Sequence, residues 1–219
     1  MTLQDRLTKN LLFFIFSTYY LGGYTVVNAL TAHRPDLHHL GFQFEQSLPF
    51  VPVLILVYLL NFALLALTYL VIDDLAYFKR TIKAFFILVT FHFLIFLIYP
   101  VEYTLRPAVH YEAGWVEKIV SFYYWVDLPY NCFPSMHISN AFLVGFLLNR
   151  YRPGWGKILF PVSVLLAISV VLVKQHYVVD VLAGFVVGYA VFRLIFGPLF
   201  SLVPHTFQTR GAPLSPAPR

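Results

Sequence analysis

The sequence is poor in charge. Asp, Glu, Lys and Arg make up 11% of its 219 residues, where soluble domains carry about a quarter. Cysteine occurs once, at Cys132, which excludes an intramolecular disulfide. No internal repeat or interdomain linker is evident. Strict alternation of polar and apolar residues is also missing, so membrane-barrel strands are excluded. The formal charge of +5 is not gathered into a basic face. Lysines and arginines instead sit at the ends of apolar runs, which argues against a nucleic-acid partner. What is abundant is apolar surface: 59% of residues are apolar and 19% aromatic. Long uncharged runs with aromatic flanks describe an integral, multi-pass membrane protein.

Six runs read as membrane helices, giving an all-α bundle: residues 11–30, 48–72, 84–101, 134–148, 158–173 and 177–200. A span needs roughly 17–25 residues, so the fourth and fifth are short. The first run, with Val27-Asn28-Ala29 as a possible cleavage site, is longer than the roughly 7–15 residue core of a signal peptide and is read as an uncleaved helix. Six spans put both termini on one side, and that side holds 11 of the 15 lysines and arginines. The excess of positive charge assigns it to the cytoplasm. Residues 1–203 then form one membrane domain, and 204–219 a disordered cytoplasmic tail. The long external segment 102–133, with Trp115 and the aromatic cluster at 122–125, is expected to hold a short helix along the membrane interface.

Three polar clusters fall on the external side: Arg106-Pro107, the stretch CFPSMHISN at 132–140, and Lys174-Gln175-His176 with Asp180. Taken singly, each has an ordinary structural reading. Arg106-Pro107 suits a turn, Pro134 and Ser135 suit a helix start, and His137 suits a buried hydrogen bond. The same holds for His92 in the third span. Ionisable groups near membrane depth are costly, however, and three clusters on one side point to function. Their chemistry suits phosphoryl transfer. A histidine nitrogen can attack phosphorus. Asp180, one helical turn beyond His176, can fix that ring's tautomer. His137 can protonate the leaving oxygen and later deprotonate water. Arg106 and Lys174 offer positive charge to the phosphoryl oxygens, and the helix start at Pro134–His137 offers free N–H groups.

These residues resemble the type 2 phosphatidic-acid phosphatase superfamily of membrane lipid phosphatases and phosphotransferases. Its motifs are Lys, six residues, Arg-Pro; Pro-Ser-Gly-His; and Ser-Arg, five residues, His, three residues, Asp. The sequence keeps Arg106-Pro107, Pro134-Ser135-Met136-His137, His176 and Asp180. It places Tyr99 and Val170 at the positions of the lysine and the arginine. The resemblance implies His176 as nucleophile, Asp180 as its partner, His137 as acid and base, Arg106 and Ser135 as phosphate ligands, and no cofactor or metal. Lys174 is expected to compensate for the two missing cations. HYVVD followed by a small apolar helix is also similar to the phosphosphingolipid synthases, which include inositol-phosphorylceramide and sphingomyelin synthases.

The leading expectation is a lipid-phosphate phosphatase working through a phosphohistidine. A lipid phosphotransferase, in which an acceptor hydroxyl resolves that intermediate, is the alternative. A non-catalytic transporter or scaffold, with His176 and Asp180 as a proton relay, is a third reading. A metal site at His137, His176 and Asp180 is a fourth.

Overall fold

The computed structural model describes residues 1–32, 34–108 and 114–197. The tail expected at 204–219, and the last three residues of the sixth run, lie outside the described residues. Among those residues the protein is all-helical and without strands. Only isolated bridges join Val101 to His38 and to Asn131.

The helices outrun the apolar stretches wherever a polar residue caps them. α1 spans Leu3–Thr31 rather than beginning near residue 11. Thr2 accepts from the Asp5 N–H while Asp5 accepts from the Thr2 N–H, a reciprocal cap that carries the charged first turns into the helix. α4 spans Leu75–Ile98, and its first turn is held by Asp74, which accepts from the Tyr77 N–H at 2.6 Å. The second apolar run is interrupted. A 3₁₀ turn at Pro52–Leu54 leads into α2, Ile55–Tyr58, and after Leu59 the chain continues as α3, Leu60–Val71. Tyr58, at that break, is fully buried. α5, Trp115–Val126, is the short helix expected within segment 102–133; Trp115 and Trp125 are exposed and Val120 is buried. α6 spans Met136–Tyr151, α7 Gly156–Leu172 and α8 Val178–Phe196.

Four stretches are long and apolar enough to cross a bilayer: Leu3–Thr31, Pro52–Val71, Leu75–Ile98 and Val178–Phe196. α6 and α7, with 16 and 17 residues, are shorter. The outward faces are apolar: Leu182, Phe185, Val186 and Tyr189 form an exposed stripe on α8. Polar side chains lie inside, with His137, Ser139 and Asn140 all buried on α6. This distribution is compatible with an integral membrane protein.

α6 is the hub, packed against α3, α4, α7 and α8. It approaches α8 closely because two glycines face it. A Cβ at Gly184 would lie 2.5 Å from the Ser135 carbonyl oxygen, and one at Gly188 2.6 Å from that of Ser139. Small residues four apart allow this backbone contact, and it brings the starts of α6 and α8 together.

Candidate active site

Each half of the site is built at a helix start. Ser135 is the N-cap of α6, and its hydroxyl accepts from the Ile138 N–H at 3.4 Å, which leaves His137 in the first turn. His176 lies in the connection between α7 and α8. α7 ends in a Schellman turn: the Lys174 N–H bonds the Val171 carbonyl, and the Gln175 N–H bonds that of Val170. The left-handed position that such a turn usually gives to glycine is held by Lys174, with φ 57°. The Val170 carbonyl also accepts from the His176 N–H at 3.1 Å, fixing the backbone that presents the imidazole. Asp180, in the first turn of α8, accepts from the Tyr177 N–H at 2.9 Å, and its own carbonyl accepts from the Ser135 N–H at 3.0 Å. That last bond ties the two helix starts to each other.

The two rings meet there. His137 Nδ1 stands 3.1 Å from His176 Nε2, and His176 Nδ1 stands 3.4 Å from Asp180 Oδ2. His137, His176, Asp180 and Ser135 are all buried. His137 Nε2 lies 2.8 Å from the Tyr58 hydroxyl, which donates to Asp127 Oδ2 at 3.0 Å; the Tyr24 hydroxyl donates to Asp127 Oδ1.

Arg106 reaches the site through a neighbour. Its guanidinium donates to the Asp127 carbonyl at 2.8 Å, to the Tyr124 carbonyl and to Gln175 Oε1, and stacks over the Tyr124 ring. Buried donors are left over: Arg106 Nε and Gln175 Nε2 have no partner. Unpaired buried donors are costly unless something else accepts from them, and phosphoryl oxygens are suitable acceptors.

The expectation for Lys174 is not supported by its contacts. Its ammonium donates to the Glu45 and Leu48 carbonyls at 3.1 and 2.9 Å. Burial pushes its pKa down, a shift that the charge of Glu45 opposes. The carboxylate of Glu45 in turn accepts from the Val178 N–H, capping α8. Lys174 thus clamps segment 43–48 over the α7–α8 corner. Of the two positions where the resemblance has cations, Tyr99 stacks on His38 and Val170 is fully buried in the core. His92 makes the buried hydrogen bonds expected of it, to the Leu88 carbonyl and the Ser139 hydroxyl.

For a metal, the donor atoms of Cys132, His176 and Asp180 lie within 4.8 Å of one another. The Cys132 thiol donates to the Pro129 carbonyl, however, and burial pushes its pKa well up, which opposes the thiolate a metal needs.

The sequence analysis does not single out Tyr58, Asp127, Tyr24 or Glu45, and names Gln175 within a polar cluster without giving it a role. Asp127 and Glu45 carried a signal as lone carboxylates in apolar or aromatic surroundings. Tyr58, inside an apolar run, carried none.

Residues 103–200 match the model of the PAP2 superfamily, somewhat under half of the chain. The matched segment contains Arg106, Ser135, His137, His176 and Asp180, in line with the resemblance carried by the motifs. The chain is also similar to an uncharacterized protein of Methanocaldococcus jannaschii, 26% identical over 85 residues. That alignment covers 38% of this chain and 35% of the relative. A PA-phosphatase related-family protein of Dictyostelium discoideum is 31% identical over 72 residues, 33% of this chain and 13% of that protein. The similarity therefore spans about a third of the first relative and about an eighth of the second.

Proposed function

We propose that the chain is a membrane lipid-phosphate phosphatase in which His176 attacks phosphorus and His137 serves as acid and base. The observation that carries this reading is the facing pair His137 Nδ1 and His176 Nε2, with Asp180 behind His176, inside the segment matched to the PAP2 superfamily. With its Nδ1 hydrogen directed at Asp180, His176 presents a lone pair on Nε2. A phosphoryl group enters between the two rings, which move apart by on the order of 3 Å to give an attack distance on one side and a hydrogen bond on the other. His176 Nε2 bonds to phosphorus as the P–O bond of the ester breaks. His137 Nδ1 delivers its proton to the departing alkoxide, then accepts one from the water that cleaves the P–N bond. Arg106 Nε, Gln175 Nε2 and the N–H groups opening α6 face the phosphoryl oxygens, and Ser135 fixes that helix start.

In the membrane, the six runs cross with both termini in the cytoplasm and the site outside. α6 rises only about 24 Å at 1.5 Å per residue, against a hydrocarbon thickness near 30 Å. Its site end therefore lies recessed at headgroup level, and α5 lies along the interface with its tryptophans toward lipid. This geometry delivers a headgroup phosphate to the histidines without drawing acyl chains into water.

The test is turnover of a lipid-phosphate panel by purified protein in EDTA, with released phosphate and new lipid products read together. Phosphate release without an acceptor alcohol supports hydrolysis. Product formed only when an alcohol is added supports the phosphotransferase reading. No turnover of any lipid by well-folded protein supports the transporter or scaffold reading.

A further inference from the structure

The proposed nucleophile has a carboxylate behind it, in Asp180. The proposed acid has one too, but through an intermediary. Behind His137, on the side away from His176, stands the hydroxyl of Tyr58 at 2.8 Å from Nε2. Behind Tyr58 stands Asp127, 3.0 Å from that hydroxyl and also hydrogen-bonded by Tyr24. Tyr58 is buried, with its ring edge-on to Tyr123, whereas Asp127 is half-buried at the end of α5. Arg106 holds the backbone of Asp127 and the side chain of Gln175 at once, so the same guanidinium braces this arm and the residue preceding His176.

Proton counting gives the contacts a direction. A phenol has one hydrogen, and Tyr58 has two polar neighbours. An ionised carboxylate only accepts. If the phenol donated to His137, two oxygens would face each other at the Tyr58–Asp127 contact with no hydrogen between them. The phenolic hydrogen therefore points to Asp127, the phenol oxygen accepts, and His137 Nε2 carries a hydrogen. On the other side, when His176 turns its Nδ1 hydrogen to Asp180 and offers a lone pair at Nε2, as in the proposed attack, the acid form of His137 carries its second hydrogen on Nδ1, 3.1 Å from that lone pair. The Tyr58 arm thus leaves Nδ1 as the one nitrogen of His137 that can exchange a proton at the site.

We propose that Tyr58 and Asp127 form a positioning arm for His137, fixing its Nε2–H and so assigning its acid–base work to Nδ1. The idea rests on the phosphatase reading for its chemistry, though not for its proton assignment. Through the cycle, Nδ1 gives a proton to the alkoxide and regains one from water, while the Nε2 hydrogen stays on the ring and keeps bonding Tyr58. Hydrolysis returns the arm to its starting state with no net proton passed along it. Neither residue touches substrate; both act through His137.

Two measurements test the arm. The first is turnover of dioctanoyl phosphatidate, beside the first-turnover burst of nitrophenolate from p-nitrophenyl phosphate, in the parent protein and in Tyr58→Phe and Asp127→Asn. An alkoxide leaves only with a proton, whereas nitrophenolate leaves largely without one. Tyr58→Phe should lower kcat on phosphatidate at least tenfold with KM within about threefold, and leave the first-turnover release of nitrophenolate, which precedes any deprotonation of water, within about threefold. Asp127→Asn should fall the same way, because its amide can donate to Tyr58 and reverse the direction of the contact. Equal losses on both substrates, or none on phosphatidate, overturn the proposal. The second is ¹⁵N NMR of histidine-labelled protein in lipid vesicles, with His137 identified by its loss in His137→Ala. A protonated Nε2 in the parent, whose signal moves in Tyr58→Phe, is expected. A lone pair at that nitrogen in the parent overturns the proposal even if every variant is inactive. If the parent turns over neither substrate, the phosphatase reading falls, and the NMR measurement still decides the arm.

Discussion

His137 and His176 meet nitrogen to nitrogen at 3.1 Å across 39 residues of sequence. The contact exists because Ser135 and Asp180 are joined through their backbones and because Gly184 lets α8 rest against α6. Each ring is oriented from its far side, one by Asp180 and the other by Tyr58.

Asp180→Asn should separate catalysis from stability. The amide oxygen can still accept from the Tyr177 N–H, so the start of α8 survives, and the expected change in unfolding free energy is about 1 kcal/mol or less. The amide cannot hold the His176 tautomer as a carboxylate does, and kcat should fall by about 10²–10⁴. Thermal unfolding in detergent, run beside turnover of a lipid phosphate, checks both halves. A stability loss large enough to account for the missing activity would contradict the orienting role.

Gly184→Ala and Gly188→Ala should loosen the site without touching a catalytic atom. Each new Cβ meets a backbone oxygen of α6 at 2.5–2.6 Å, so the helices have to separate. Overpacking of this kind costs about 1–3 kcal/mol, and a misplacement near 1 Å can cost about 10²-fold in rate. Gly22→Ala is the control, since nothing lies within 4 Å of its added Cβ. Parent-like stability and rate in Gly184→Ala would contradict the close approach of α6 and α8.

Lys174→Ala should destabilise while sparing chemistry. The substitution removes a buried ammonium that bonds two carbonyls, a loss of about 1.5–3 kcal/mol, and leaves a non-glycine residue at φ 57°. Lys174→Gly loses the same bonds but relieves the left-handed strain, and should be the more stable of the two by about 1 kcal/mol. Turnover per folded molecule should stay within a few-fold in both. A tenfold rise in KM for a lipid phosphate would restore the phosphate-binding role to Lys174.

His137, His176 and Asp180 stand out in the sequence as candidates because two short spacings, Pro-Ser-x-His and His-x-x-x-Asp, mark them, and the structure brings the three side chains together. Tyr58 and Asp127 were not legible. Their contacts cross 79 and 69 residues, and a tyrosine inside an apolar run reads as core. Lys174 looked like a free cation because nothing local shows segment 43–48 folding back over it. Helix positions followed from apolar runs, but their starts did not: Thr2 and Asp74 extend α1 and α4 beyond the runs, and Leu59 divides the second run in two. Four of the six expected spans coincide with stretches long and apolar enough to cross, and α6 and α7 are shorter at 16 and 17 residues.

The central claim is that His176 is the nucleophile and His137 the acid. Rapid-quench trapping of acid-labile phosphoenzyme tests it most directly, using p-nitrophenyl phosphate so that no acid is needed for the leaving group. The parent and His137→Ala should both accumulate phosphohistidine, with the variant unable to form it from a lipid phosphate. His176→Ala should trap nothing from either substrate. Phosphoenzyme in folded His176→Ala, or none in folded His137→Ala with the activated ester, would contradict the account.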